Sequence, residues 1–313
     1  MAPPVRCPSA RRRTGRDRLE ALRPRLDALY ESFNRAGEVP DPVEFVRRYE
    51  RHPDREVVAF IASGLAFGRV ASVNQSVERV LARLGPSPAA AVADFVLARD
   101  ARRFDGFAHR WTRGGDVALL IHVLRHMLRE AGSIEAFFVE GWDATAGDVR
   151  DALDSFGARA REIARTAAGD AAGSRGAAYF FPRPADGSAC KRANLFLRWM
   201  VRRDNLDPGG WTRVRPAQLV VPLDTHVIRV GACLGLSRAR TPGWKMAAEI
   251  TAALRVLDPD DPVKYDFALC HVGMLQACGF SEPRGDRDCP LRGVCRPAAP
   301  GRRRESRAPS ARR

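Results

Sequence analysis

Two residues in this sequence have the type and the setting to act together as an amine nucleophile and its acid partner, Lys191 and Asp224, 33 positions apart. Lysine is scarce here: Lys191, Lys245 and Lys264 stand against 49 arginines. A guanidinium cannot replace an amine as a nucleophile, so the position of each lysine matters. Lys191 follows a turn signalled by Pro182, Pro184 and Gly187 and opens an apolar helix carrying Leu195, Trp199 and Arg202. The positive end of a helix dipole disfavours an ammonium, and a neutral amine is what Schiff-base chemistry requires. Backbone N–H groups of the stretch "DGSAC" at that helix start suit a phosphate. The plain alternative is a lysine whose stem lies along the surface.

Asp224 stands at the head of "DTHVIRVGACLGL", where Val227, Val230 and Leu234 share one helical face beside Ile228 and Gly235 marks the end. An Asp in that position has a structural use, capping the orphan N–H groups of the first turn. Its chemical use is to take a proton from the amine or to steady a cationic sugar. Both uses are carried forward.

Helical periodicity dominates the segments that must position this pair. Amphipathic or apolar helices are expected over 17–36, with a kink at Pro24, and from Asp41-Pro42. Further helices are expected in "REVVAFIASGLAF", "RVASVNQSVERVLARLG", residues 116–132, "SIEAFFVE" and "TAGDVRDALDSFGARAREIARTA". Thr241-Pro242 and Asp261-Pro262 read as caps of two more. No segment alternates over strand length, so the expectation is an all-α fold of roughly ten helices. The chain divides into a basic tail (1–16), an N-terminal helical part (17–166), a Gly/Ala-rich connector (167–178), a C-terminal part (179–295) and a second basic tail (296–313).

The formal charge of +15 points to a polyanion, but its distribution qualifies that. Residues 1–16 hold five Arg and no acid, and residues 296–313 hold seven Arg and one Glu, leaving +4 on the body. Such runs are expected to be disordered and solvated. No run is long and apolar enough to span a bilayer, and the N-terminus lacks an apolar signal core, so a cytoplasmic location is expected. Seven cysteines, unevenly spaced, do not make a disulfide framework.

"GSACKRANLFLRW" followed by "PLDTHVIRV" resembles the helix-hairpin-helix DNA glycosylase superfamily typified by endonuclease III. The resemblance implies a helix-hairpin-helix bundle that excises a damaged base from double-stranded DNA. Lys191 would be the nucleophile, Asp224 the acid, and Gly187 the first hairpin glycine, with Thr225, His226 and Arg229 continuing the match. Gly187, Ser188, Ala189, Cys190 and Arg192 would face DNA. The second hairpin glycine is Ala189 here, which makes close approach of a phosphate harder. The long Lys-to-Asp connector is similar to that of archaeal 8-oxoguanine glycosylases, which makes an oxidised purine one candidate lesion. "DREVVAFIASGLAFGRV", "GSACKRANLFLRWMVR" and "DPVKYDFAL" resemble an uncharacterised bacterial family over most of residues 17–295. The implied activity is that of a monomeric DNA glycosylase with abasic-site lyase activity. The alternative is a non-catalytic helix-hairpin-helix DNA-binding protein.

The ending "CPLRGVC" resembles the last two ligands of the endonuclease III iron–sulfur loop, but Asp286 stands where the preceding ligand belongs. Cys278, Cys289 and Cys295, with Cys270 as a fourth, define an incomplete site for a 4Fe-4S cluster or zinc. A vestigial loop is the favoured reading, and no cofactor is required for the chemistry. His122 and His126 lie one turn apart without the Glu of a zinc-protease motif. Cys190 reads as part of the turn. Phe180, Phe181, Trp199 and Trp211 are either core residues or surfaces for an extruded base. Because the tails hold most of the excess charge, deleting 1–16 and 296–313 should weaken binding to undamaged duplex DNA and flatten its salt dependence, measured by titration at several salt concentrations. An unchanged slope would place the electrostatic footprint on the body.

Overall fold

A computed structural model of the protein describes residues 15–37, 40–168, 176–274 and 289–295. The tail over 1–14, the tail over 296–313 and residues 169–175 of the connector lie outside them. Among the described residues the fold is all-α apart from a two-stranded hairpin, Ala108–His109 against Thr112–Arg113. Nine helices have nine residues or more: α1 (Arg23–Phe33), α2 (His52–Leu65), α3 (Val70–Leu84), α4 (Gly114–Glu130), α5 (Arg150–Ala168), α6 (Lys191–Val201), α7 (Thr225–Leu234), α8 (Trp244–Arg255) and α9 (Asp266–Met274). No helix is long and apolar enough to cross a membrane among the described residues.

Local chemistry sets most boundaries. Pro24 lies in the first turn of α1, and the expected 17–36 helix is split there into Gly15–Glu20 and Arg23–Phe33. The connector is helical at both ends, since Ala167 and Ala168 finish α5 and residues 176–178 start a short helix running to 180. Asp261 caps nothing: Pro262–Tyr265 is a 3-10 turn, and the carboxylate is drawn instead to Arg202 Nε at 2.9 Å.

Helix α2 is the central element, buried at every position from Glu56 to Leu65. It packs on α6 and on the short helix Val43–Arg47. Glu56 is fully enclosed, and its carboxylate accepts from Trp211 Nε1 at 2.7 Å and from the Glu135 amide at 2.9 Å. Burial raises this carboxyl above its ordinary range. One apolar core runs from Leu22 to Leu291, so the helices on both sides of the connector share it. Phe180, Phe181, Trp199 and Trp211 are all in that core, each 4% exposed or less, which removes them as stacking surfaces.

A buried ion network joins α6 to its surroundings. Arg198 donates to both oxygens of Asp207 at 3.0 Å and to Asp266 Oδ2 at 2.8 Å. Arg202 pairs with Asp204, Asp207 and Asp261. Asp207 therefore serves two guanidiniums at once in a site closed to water. Removing one partner strands the others, so Asp207→Ala should cost roughly 3–5 kcal/mol, read from urea unfolding. A cost below about 1 kcal/mol, the range of an exposed ion pair, would show that the network relaxes into solvent.

Candidate active site

Lys191 is the first residue of α6, and the turn before it is tightly specified. Pro184–Asp186 form a 3-10 turn and Gly187 follows at φ 77°. Cys190, next to Lys191, sits in the left-handed region at φ 50°, which a side chain tolerates poorly. The turn is held down from three sides. Arg183 Nη2 and the Ala185 amide bond Asp154 of α5 at 2.6 and 2.9 Å, and Arg161 of α5 bonds Asp186 at 2.6 Å. Asn194 Nδ2 donates to the Ala189 carbonyl at 3.1 Å. The side chains of the turn behave less uniformly than the sequence suggests. Gly187 is exposed, whereas Cys190 is 1% exposed and burial pushes its thiol up to about 12, so it is no nucleophile. Arg192 turns inward, donating to the Tyr179 carbonyl at 2.6 Å and lying 3.3 Å over the Tyr179 ring.

The Lys191 ammonium donates to the Ala66 carbonyl, just beyond the end of α2, at 3.0 Å. No carboxylate is in ion-pair contact with it among the described residues. Lys264, by contrast, is paired with Asp258 and Asp27 at 2.7 and 3.4 Å.

Asp224 caps α7 as its position implies, with Oδ1 accepting from the Val227 amide at 2.8 Å. Its second oxygen, Oδ2, accepts from the Cys270 thiol of α9 at 3.0 Å. The carboxylate is thus fixed by two helices. Burial, and then the Asp224 charge, raise the Cys270 thiol well above its ordinary range, which keeps it a protonated donor.

Lys191 and Asp224 line the same two adjoining spaces. The inner one is a cavity of about 180 Å³ reaching to Asp41, Asp266 and His271. The outer one is its mouth, bounded by Phe67, Trp111, Tyr179 and Arg192 on one side and Thr225 and His226 on the other. Trp111 at the hairpin tip is 56% exposed, stacked on Phe67 with ring centres 4.7 Å apart and edge-on to Tyr179. Arg110 lies 5.5 Å from its ring. His109 pins the hairpin from below, bonded to Ser76 Oγ at 2.9 Å and to the Phe67 carbonyl at 3.1 Å. This exposed aromatic platform has no local sequence signal, because residues 67, 111 and 179 meet only through the fold.

The cysteines separate. Cys270 is engaged with Asp224 beside the cavity, Cys289 is buried in the core, Cys295 packs against it, and Cys278 lies outside the described residues. Among the described residues no three His, Cys, Asp or Glu side chains gather as a metal site, the His122 and His126 pair included.

Residues 41–275 match the sequence model of a family described as "Protein of unknown function (DUF2400)", and the chain belongs to that family. No curated protein and no solved structure matches it.

Proposed function

We propose that this protein is a lysine-dependent DNA glycosylase with abasic-site lyase activity, acting on a damaged base in double-stranded DNA. The observation that carries the reading is the convergence of Lys191 and Asp224 on two adjoining spaces, one of them a cavity of about 180 Å³. A glycosylase must take its target out of the stack, so a cleft with such a recess suits an extruded nucleotide.

The Lys191 amine attacks C1′ of the sugar, forming an N–C bond as the bond between C1′ and the base breaks. The base leaves with the bonding electron pair. The proton lost from Lys191 passes to Asp224 through an intervening water, since the two side chains are not in contact. The carboxylate also stabilises the positive charge that develops on the sugar. Asp224 then gives the proton taken from Lys191 to O4′ as the C1′–O4′ bond breaks, leaving a protonated Schiff base at Lys191. Water takes a C2′ proton and the C3′–O bond breaks, the 3′ phosphate leaving with the electron pair. Trp111 offers its exposed face to a base next to the gap, a contact that tolerates any sequence. The long connector before Asp224 makes an oxidised purine the first lesion to test.

The alanine at 189 and the incomplete cysteine loop favour a second reading, a helix-hairpin-helix protein that binds DNA without cutting it. Substitution separates the two. Lys191→Gln should abolish covalent trapping by borohydride on lesion-bearing duplexes while binding by gel shift stays near wild type. Asp224→Asn should lower the rate by roughly 100-fold or more while keeping the helix cap, its one lost contact being the hydrogen bond accepted from Cys270. Tight binding by the wild type with no trapping on any lesion or abasic site would select the binding protein.

A further inference from the structure

The inner cavity has an end that the proposed chemistry at Lys191 does not use. It is formed by α9, where Asp266 and His271 are 4% and 3% exposed. Each carries one buried polar atom with no hydrogen-bond partner, Oδ1 of Asp266 and Nε2 of His271. Their other atoms are committed. Asp266 Oδ2 takes Arg198 at 2.8 Å, and His271 Nδ1 lies 2.8 Å from the Phe267 carbonyl. A carbonyl only accepts, so Nδ1 carries the hydrogen and Nε2 presents a lone pair. Burial lowers the His271 pKa and keeps the imidazole neutral. Nε2 is therefore an acceptor, as is Oδ1 whenever Asp266 is ionised, and a buried acceptor left unpaired is costly.

No hydrogen bond reaches either atom from the rest of the lining. Asp41 contributes a third carboxylate, with Oδ1 bonded to the Val43 amide at 2.9 Å. Arg198 is already shared between Asp207 and Asp266. Phe267 and Leu195 supply apolar walls. A partly apolar pocket of about 180 Å³ with acceptors at its end suits a heterocycle whose edge carries N–H groups.

On the glycosylase reading, we propose that the Asp266 and His271 end of the cavity seats the extruded base and selects heterocycles with N–H donors on the facing edge. Burial raises the Asp266 carboxyl to about 7 despite Arg198, and an N–H donor at Oδ1 favours its ionised form. Bases that present only acceptors there would face unpaired lone pairs and be rejected.

The experiment compares full-length protein on three duplexes: a donor-edged base (hypoxanthine or 8-oxoguanine), 1,N6-ethenoadenine, which presents acceptors only, and a preformed abasic site. Wild type should excise at least one donor-edged base about 10-fold or more faster than ethenoadenine. His271→Phe keeps the ring volume and removes the acceptor. It should lower the ratio of donor-edged excision to abasic-site trapping by about 10-fold. Asp266→Asn lets its amide oxygen keep Arg198 while turning an N–H toward the base, so it should narrow the preference. Equal rates on the two base classes, faster ethenoadenine removal, excision of neither while abasic sites are trapped, or an unchanged ratio in His271→Phe would overturn the proposal. Failure of wild type to trap on abasic DNA would overturn the glycosylase reading beneath it, which is a separate result.

Discussion

Arg198 is the residue on which the geometry of the cleft depends. It lies two turns along the helix that Lys191 begins, is 3% exposed, and holds the buried carboxylates of Asp207 and Asp266. Desolvating a guanidinium is expensive, so the arrangement persists only with its carboxylates in place. The pair to Asp266 ties α6 to α9. One turn further along α9, Cys270 bonds Asp224, which ties α9 to α7. Two polar contacts in series therefore set the position of the amine relative to the carboxylate. Apolar packing alone would let these helices slide by a fraction of a turn, whereas directional bonds between buried groups fix one register.

Asp224 divides its oxygens between two helices. Oδ1 serves the helix and Oδ2 faces α9, so the same carboxylate has a structural task and a place on the cleft wall. The left-handed backbone at Cys190 works in the same direction at the other partner. It stores about 1–3 kcal/mol of local strain where the turn meets α6, held by the clamps from α5. Strain of this kind is tolerated where a side chain must be aimed.

Much of this was legible in the sequence because it depends on local rules. The scarcity of lysine singled out Lys191, the cap position singled out Asp224, and periodicity located the long helices. The rest depends on which face of each element meets a neighbour. Phe180, Phe181, Trp199 and Trp211 carry the right chemistry for stacking but fall on core faces, while Trp111 is lifted into solvent by a six-residue hairpin whose strands are too short to show alternation. Asp266 and His271 sit in "DFALCHVGM", which reads as a core helix, and their unpaired atoms emerge only once Arg198 and the Phe267 carbonyl have taken the others. Arg192, which the resemblance places against DNA, lies over the face of Tyr179 where both line the mouth of the cleft.

The central claim is that the Lys191 amine bonds to the sugar. It is tested most directly by reducing the wild-type protein with borohydride on abasic duplex DNA, digesting the adduct and finding the modified residue by peptide mass. The account predicts a single deoxyribose-derived adduct on Lys191. An adduct on Lys245, on Lys264 or on the N-terminal amine, with Lys191 unmodified, would contradict it.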